Sequence, residues 1–243
     1  MEESPSAERK VEISENLEEI RDAVLASRSL NVVARLVAVS KYKPASDIVA
    51  AYEAGQRHFG ENYVQELSEK APLVPPDIKW HFIGRLQSNK CKALAAIPNL
   101  WAVETIDSGA KALKMNDAWG SAGHASPLNV FIQVNTSEEE NKGGVEQHEV
   151  LKVARSVRES CASLNLLGLM TIGSVEGSHQ QPNPDFLALV RLRDEIKAEL
   201  GGPELELSMG MSDDFEHALE LGATNVRVGS KIFGSRLPKT AAA

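Results

Sequence analysis

The amino-acid sequence predicts an α/β protein: a closed (β/α)8 TIM barrel preceded by one extra helix. Eight short apolar or β-branched runs alternate with helical patterns, which requires parallel strand pairing with right-handed crossovers. The length of 243 residues suits one such barrel. A doubly wound sheet would show the same alternation, but no Gly-x-Gly-x-x-Gly follows the first strand, so a dinucleotide-binding sheet is disfavoured. We therefore expect a single domain over residues 1–243, since no linker or repeat marks a second one.

The elements follow from the pattern in order. Residues 7–29 carry apolar positions at helical spacing with charges between them, which predicts an amphipathic helix. The run after it is rich in Leu, Val and Ala, the composition of a strand buried on both faces. The eight predicted strands cover residues 35–40, 58–60, 80–83, 100–104, 129–134, 166–170, 204–207 and 225–228. The helices between them cover residues 45–54, 63–71, 88–95, 109–119, 147–160, 184–200 and 213–221. Ser46 and Gly55 delimit the first of these helices, and Ser212 and Gly222 the last.

The composition argues against several classes of function. A net charge of −8 and a pI near 5.4 argue against nucleic acid or an anionic membrane as the main partner. Cys91 and Cys161 have no metal-ligand spacing and do not make a disulfide framework, so we expect no metal site and a reducing, cytoplasmic location. The first residues are acidic without an apolar stretch, and no run is long enough to span a bilayer. We therefore expect neither a targeting peptide nor a membrane anchor.

Lys41 ends the first predicted strand, where an apolar run stops abruptly on an amine. Lysine is rarely buried without a partner, because its ammonium loses hydration in a low-dielectric interior. Two interpretations are open. The side chain either snorkels from the strand end to solvent, or it is a desolvated amine that forms a Schiff base with a carbonyl compound. The groups that the fold brings beside Lys41 decide between them.

Closure of the barrel would place Arg227, in the eighth strand, beside Lys41 in the first. The loops after strands seven and eight form the usual phosphate site of this fold, and here they carry Ser212, Gly229 and Ser230. Ser212 could instead be a helix N-cap, the Gly229-Ser230 pair a turn, and the arginine an ion-pair partner. A site with an amine, a cation and these two phosphate-binding loops, which we call the phosphate cradle, suits a ligand that carries both an aldehyde and a phosphate, such as pyridoxal 5′-phosphate (PLP). A Schiff-base aldolase acting on a sugar phosphate would use the same lysine and cradle without a cofactor.

Six sequence blocks match one protein family in the same order along the chain. They are residues 38–44, 58–66, 80–90, 168–171, 208–214 and 227–234. Over nearly its whole length the chain resembles the pyridoxal phosphate homeostasis proteins, a single-domain group that is similar to the barrel half of bacterial alanine racemase. The shared order makes the resemblance specific, whereas any one block alone would be weak. The resemblance implies an alanine racemase-like barrel with PLP as its cofactor.

The resemblance also implies six cofactor-binding residues. They are Lys41 as the Schiff-base lysine, Ser212, Gly229 and Ser230 at the phosphate, Arg227 at the pyridine nitrogen and Asn62 beside the ring. The arginine has a mechanistic consequence. A guanidinium has no lone pair and keeps its protons, so it donates to the pyridine nitrogen, leaves that nitrogen unprotonated and weakens the ring as an electron sink.

The departure from the racemase pattern guides the expected function. Racemases of this type carry a second, β-rich domain that supplies a catalytic tyrosine, whereas this sequence stops soon after the eighth strand. We therefore expect a monomeric PLP carrier in vitamin B6 homeostasis rather than an enzyme, one that buffers the cofactor or delivers it to apo PLP-dependent enzymes. A fold-type III PLP enzyme, such as an amino-acid racemase of low or narrow activity, is the alternative. No catalytic residue is assigned, and Tyr42, Tyr63, His58 and His81 are interpreted as packing or structural residues.

Residues 137–144 form an acidic loop that ends in two glycines. One interpretation is a mobile flap that carries Lys142 as a second amine near the rim. The other is a solvated charge run.

Overall fold

The computed structural model describes residues 5–28, 33–139 and 142–235. These residues contain nine strands: β1 (Arg35–Val39), β2 (His58–Glu61), β3 (Lys79–Phe82), β4 (Leu100–Ile106), β5 (Leu128–Asn135), β6 (Val145–Glu146), β7 (Leu164–Met170), β8 (Glu206–Ser208) and β9 (Asn225–Val228). Eight of them close into a ring of parallel pairs in the order β1-β2-β3-β4-β5-β7-β8-β9, and β9 pairs back to β1. β6 pairs with the last two residues of β5 and is not part of the ring. The predicted (β/α)8 barrel is confirmed.

Helices alternate with these strands. They are α1 (Ala7–Ser27), α2 (Ala45–Glu53), α3 (Val64–Lys70), α4 (Cys91–Ala95), α5 (Gly109–Ser121), α6 (Val150–Ser160), α7 (Val175–Ser178), α8 (Pro184–Leu200), α9 (Phe215–Glu220) and α10 (Ser230–Phe233). The predicted extra helix is α1, and the end of that prediction at residue 29 lies outside the described residues. Among residues 5–28, 33–139 and 142–235, no helix combines the length and the apolar character that crossing a membrane requires.

Several predicted boundaries differ from the structure. β1 ends one residue early, at Val39, because the chain turns there and the Lys43 N–H donates to the Ser40 carbonyl. The helix predicted over 63–71 gives way to a 3-10 turn at Ala71–Leu73, where Pro72 has no N–H to continue an α-helix. Similar 3-10 turns precede α4 and α6. The short elements β6, α7 and α10 were not predicted, since two to four residues show no period.

Apolar side chains on the outer face of the barrel pack against the helices. Fully buried examples are Phe59, Trp80 and Phe82. Ala102, Phe131 and Met170 form a separate small cluster on the opposite face of their strands, inside the barrel. α1 buries Ile13, Leu17, Ile20 and Val24 as it packs against α2, α9 and α10. The helix is therefore an integral layer of the fold beside the first and last strands.

Candidate functional site

The carboxyl ends of the barrel strands open into a cavity of about 420 Å³. All six residues implied for cofactor binding line it: Lys41, Asn62, Ser212, Arg227, Gly229 and Ser230. They come from β9 and from the loops after β1, β2, β8 and β9, which the parallel ring brings to one edge. The sequence interpretation therefore selected residues that lie together in space.

Lys41 lies two residues after the end of β1, and its half-buried side chain lines the cavity. Ser40 before it is buried, and Tyr42 after it has a left-handed backbone with φ 63°. Such a conformation costs about 1–2 kcal/mol for a residue with a Cβ, so the turn at this strand end is specified by other contacts. Placement at the cavity favours the interpretation of Lys41 as a functional amine over simple snorkelling along the barrel surface.

The loops after β8 and β9 meet at Ser212 and Gly229, where the Gly229 N–H donates to Ser212 Oγ at 3.3 Å. A Cβ at Gly229 would lie 3.2 Å from the Val39 carbonyl oxygen, so glycine lets this loop approach β1 closely. Ser230 begins the short helix α10. The alternative of an N-cap for Ser212 is wrong, because α9 begins only at Phe215. The Ser212 hydroxyl instead faces the other loop of the cradle.

Arg227 lies in β9 and is only 4% exposed. Its two terminal nitrogens donate to Ser208 Oγ at 2.6 Å and to the Thr171 carbonyl at 2.8 Å. Burial lowers the pKa of Arg227 below its ordinary value, although the charges of Glu104 and Asp214 oppose the shift. The ion-pair interpretation of Arg227 therefore holds only indirectly, because Ser208 lies between the guanidinium and a buried carboxylate.

That carboxylate is Glu104, fully buried in β4. Its oxygens accept hydrogen bonds from His81 Nδ1 at 2.5 Å, Ser208 Oγ at 2.5 Å and Asn225 Nδ2 at 2.9 Å. Burial alone would raise the pKa of Glu104, but the hydrogen bonds from His81 and Ser208 and the charge of Arg227 outweigh it, and the net shift is downward. Glu104 thus supplies a buried negative charge that faces Arg227 through Ser208.

The polar chain continues to the other end of the barrel. His58 Nδ1 lies 2.8 Å from His81 Nε2. Burial, reinforced by the charges of Arg35 and Lys79, lowers the pKa of His58 to about 2, and burial also lowers the pKa of His81. Two neutral rings fit this geometry, with His58 donating to His81 and His81 donating to the Glu104 carboxylate. The interpretation of both histidines as structural residues agrees with this arrangement.

Asn62 follows β2 and lines the cavity, and its buried Oδ1 atom accepts no hydrogen bond from residues 5–28, 33–139 or 142–235. A buried acceptor without a partner is costly, so this atom fits a donor on a ligand. The backbone of Asn62 is fixed from behind by Gly84. A Cβ at Gly84 would lie 1.8 Å from the Asn62 carbonyl oxygen, so only glycine permits this approach of the two loops.

Sequence reasoning missed Lys43, which also lines the cavity. Its Nζ donates to the Ser235 carbonyl at 3.1 Å, and burial lowers its pKa. Its position two residues after the strand-end lysine was the available signal. Glu104 and Ser208 were missed as well, although a glutamate inside an apolar strand is itself a signal of a buried polar partner.

Lys142 does not line the 420 Å³ cavity. Its Nζ donates to Glu139 Oε1 at 2.6 Å and to the Gly173 carbonyl at 3.1 Å, beside a second cavity of about 60 Å³. Residues 140–141 of this loop lie outside the described residues, and the flap stays a prediction. The Tyr42 and Tyr63 hydroxyls hydrogen-bond to each other with their rings about half exposed, which agrees with a packing role.

Comparison with known proteins places the chain in a family. The family profile described as alanine racemase, N-terminal domain, matches residues 11–237. A pyridoxal phosphate homeostasis protein of Mus musculus is 53% identical over 210 residues, which cover 83% of this chain and 77% of the relative. The chain belongs to the pyridoxal phosphate homeostasis protein family. The predicted resemblance is confirmed.

Solved structures agree with this family assignment. PipY of Synechococcus elongatus, solved with PLP bound, is 32% identical and superposes with a TM-score of 0.79, covering 91% of this chain and all of PipY. Alanine racemase of Corynebacterium glutamicum superposes with a TM-score of 0.73 at 15% identity, covering 96% of this chain and 64% of the racemase. The second likeness shows the alanine racemase-like barrel alone.

Proposed function

We propose that this chain binds PLP, holds it as a Schiff base on Lys41 and acts in intracellular PLP homeostasis by buffering or delivering the cofactor. The observation that carries the proposal is one cavity in which an amine, a buried guanidinium and a two-loop serine and glycine cradle converge. The PLP-bound structure of PipY, a relative with the same barrel, supports it. Bound PLP supplies an aldehyde, which a lysine amine converts into a carbon–nitrogen double bond with release of one water.

The residues present fit this cofactor. Ser212 and Ser230 offer hydroxyl groups from the loops after β8 and β9, which meet where the Gly229 N–H donates to Ser212 Oγ. The orphaned Asn62 Oδ1 offers an acceptor to a polar group beside the ring. Lys43 also lines the cavity, so a second lysine besides Lys41 is available to an anionic ligand there.

Arg227 bears on the chemistry that a bound PLP ring can support. Its guanidinium is anchored by Ser208 and Thr171 and faces the Glu104 charge, so it is held as a cation and a hydrogen-bond donor. A donor that keeps its protons stabilises an unprotonated pyridine nitrogen, and this weakens carbanion stabilisation. The full carbanion delocalisation of transaminases is therefore disfavoured, while holding the aldehyde is not affected.

We also propose the cytoplasm as the location, a monomer as the working form, and apo PLP-dependent enzymes as recipients. The cysteines support the location, since Cys91 and Cys161 are both buried free thiols. A cavity that opens at the barrel end leaves the cofactor accessible to a recipient.

The proposal is tested by loading the purified protein with PLP and recording the visible absorption band. We expect a band that borohydride abolishes, leaving the reduced cofactor on the peptide that contains Lys41. Lys41→Ala should lose the band, and Lys111→Ala, a lysine paired with Asp107 outside the cavity, should keep it. A colourless protein, or a cofactor fixed on another lysine, would contradict the proposal.

A second measurement separates the carrier from the racemase. The loaded protein is incubated with L-amino acids in deuterated water, and the α-proton is followed by NMR. We expect no exchange beyond that of free PLP. Exchange with turnover that requires Lys41 would establish an enzyme.

A further inference from the structure

A buried charge cluster lies beneath the strand end that carries Lys41. It consists of Glu61, Glu66 and Lys70, which we call the Lys70 cluster. Lys70 is 7% exposed, and its Nζ donates to Glu61 Oε1 at 2.8 Å and to Glu66 Oε1 at 2.6 Å. Burial raises the pKa of Glu61, which is fully buried, and the Lys70 ammonium opposes that rise. None of the three side chains is among the residues that line the cavity.

The cluster fixes the residue before Lys41. Lys70 Nζ donates to the Ser40 carbonyl at 2.9 Å, and the Ser40 hydroxyl donates to Glu61 Oε1 at 2.7 Å. The Ser40 N–H donates to the Gly60 carbonyl at 3.0 Å, as a continuation of the barrel ladder. Main chain and side chain of Ser40 are therefore both held.

The same cluster fixes the residue after Lys41. The Tyr42 N–H donates to Glu66 Oε1 at 2.6 Å. Tyr42 has φ 63°, a left-handed conformation that is unfavourable for a residue with a Cβ. A charge-assisted hydrogen bond from its N–H to a carboxylate is a strong contact that compensates this cost. Without Glu66, the backbone at Tyr42 would lose that compensation.

Stability alone does not account for the Lys70 cluster. Buried ion pairs contribute little net stability, because desolvation offsets their attraction. Here the hydrogen bonds of the cluster end on the backbone on both sides of a single amine. We infer that Glu66 and Lys70 are positioning residues, which hold the chain on both sides of Lys41 so that its amine faces the aldehyde carbon of bound PLP. This inference rests on the proposed function.

The positioned step is formation of the bond to the aldehyde. The amine lone pair of Lys41 attacks the aldehyde carbon, a carbon–nitrogen bond forms, and the aldehyde oxygen leaves as water with two protons from the amine. The rate depends on where the amine is held, since a misplacement of about 1 Å can slow a reaction on the order of 100-fold. Phosphate binding does not depend on it, because the phosphate cradle is built from the loops after β8 and β9.

Glu66→Ala tests the inference, because it removes the acceptor of the Tyr42 N–H from a partly exposed position and leaves Lys70 paired with Glu61. We expect amide exchange at Tyr42 to accelerate at least 10-fold in the protein without cofactor. Formation of the visible band with PLP should slow by about 10-fold or more. Affinity for pyridoxine 5′-phosphate, which has no aldehyde, should stay within about two-fold. Glu66→Gln, which keeps an acceptor oxygen, should restore most of the rate.

Glu69→Ala is the matched control, since Glu69 lies on the same helix, exposed and bonded to Gln65. It should behave as the wild type in all three measurements. An unchanged exchange rate at Tyr42, or an unchanged rate of band formation, in Glu66→Ala would overturn the inference. Equal losses of pyridoxine 5′-phosphate affinity and of rate would also overturn it, because they would indicate general damage to the cavity. If the wild type forms no bond with PLP, the proposed function fails by itself, and the exchange result still decides whether Glu66 holds the backbone.

Discussion

Gly84→Ala is the sharpest perturbation of the site that the structure offers. The added Cβ would lie 1.8 Å from the Asn62 carbonyl oxygen and 2.5 Å from its carbonyl carbon. Both neighbours are backbone atoms, so no side chain can rotate away. To reach an ordinary contact, the loops after β2 and β3 must separate by about 1.5 Å. Asn62, which lines the cavity, would move with its loop.

The cost follows from this geometry. Overpacking of a tight site costs typically about 1–3 kcal/mol, and a clash with backbone lies at the upper end of that range. For a chain of this length, a loss of about 3 kcal/mol corresponds to a fall in Tm of roughly 6–12 °C. Displacement of Asn62 should also weaken PLP binding, on the order of 10-fold.

Calorimetry and fluorescence titration with PLP measure the two effects. Gly109→Ala is the control, because a Cβ there would lie 3.5 Å from Ser156 Oγ, an ordinary contact, at the first position of α5. Alanine should be neutral or raise stability by about 0.5–1 kcal/mol at a helical position. A Gly84→Ala protein with the Tm and PLP affinity of the wild type would refute the view that the close approach of these loops positions Asn62.

Three further predictions concern the buried network and the N-terminal helix. The pKa of His58 is about 2 in the folded protein and about 6.5 when unfolded, so only the unfolded state gains this proton as the pH falls below 6.5. The free energy of unfolding of the wild type should therefore fall by about 1–2 kcal/mol between pH 6.5 and 5 because of this group. Urea unfolding at both pH values should show that contribution absent in His58→Gln and retained in the exposed control His148→Gln. Glu104→Gln removes the buried negative charge that faces Arg227, so it should destabilise the protein by about 3 kcal/mol and shift the visible spectrum of the PLP-loaded protein. An unchanged spectrum would contradict the coupling of Glu104 to Arg227 through Ser208. Ile13→Ala should cost about 2–5 kcal/mol in urea unfolding, and a cost below 1 kcal/mol would mean that α1 is not an integral layer.

Much of the fold could be predicted because its signals are local. Alternation of apolar runs with helical periods requires only neighbouring residues, and it predicted all eight strands of the ring in order. Elements of two to four residues, such as β6 and α10, were missed because they are too short to show a period. Errors at boundaries such as Val39 arise where hydrogen bonds from other elements end a strand.

The candidate site divides in the same way. Lys41 and Arg227 were found because a cation in or after an apolar strand is conspicuous, and Ser212, Gly229 and Ser230 because the fold places the phosphate cradle at those loops. What Arg227 bonds to was not predictable. Its partners Ser208 and Thr171, and Glu104 behind Ser208, lie on or after three other strands, so their placement depends on the strand register.

The sequence by itself determined the barrel, the amine at the end of its first strand, and the family. The reason is that hydrophobic periodicity, the order of the strands and the order of the motifs are all properties of the linear sequence. The tertiary structure alone decided how that amine is held. Ser40 and Tyr42 are fixed by Lys70 and Glu66, and Asn62 is placed by Gly84, through contacts between successive strand ends. These contacts depend on distances of a few ångströms between strand ends of a closed sheet, and such distances cannot be predicted from the pattern of residue types along the chain.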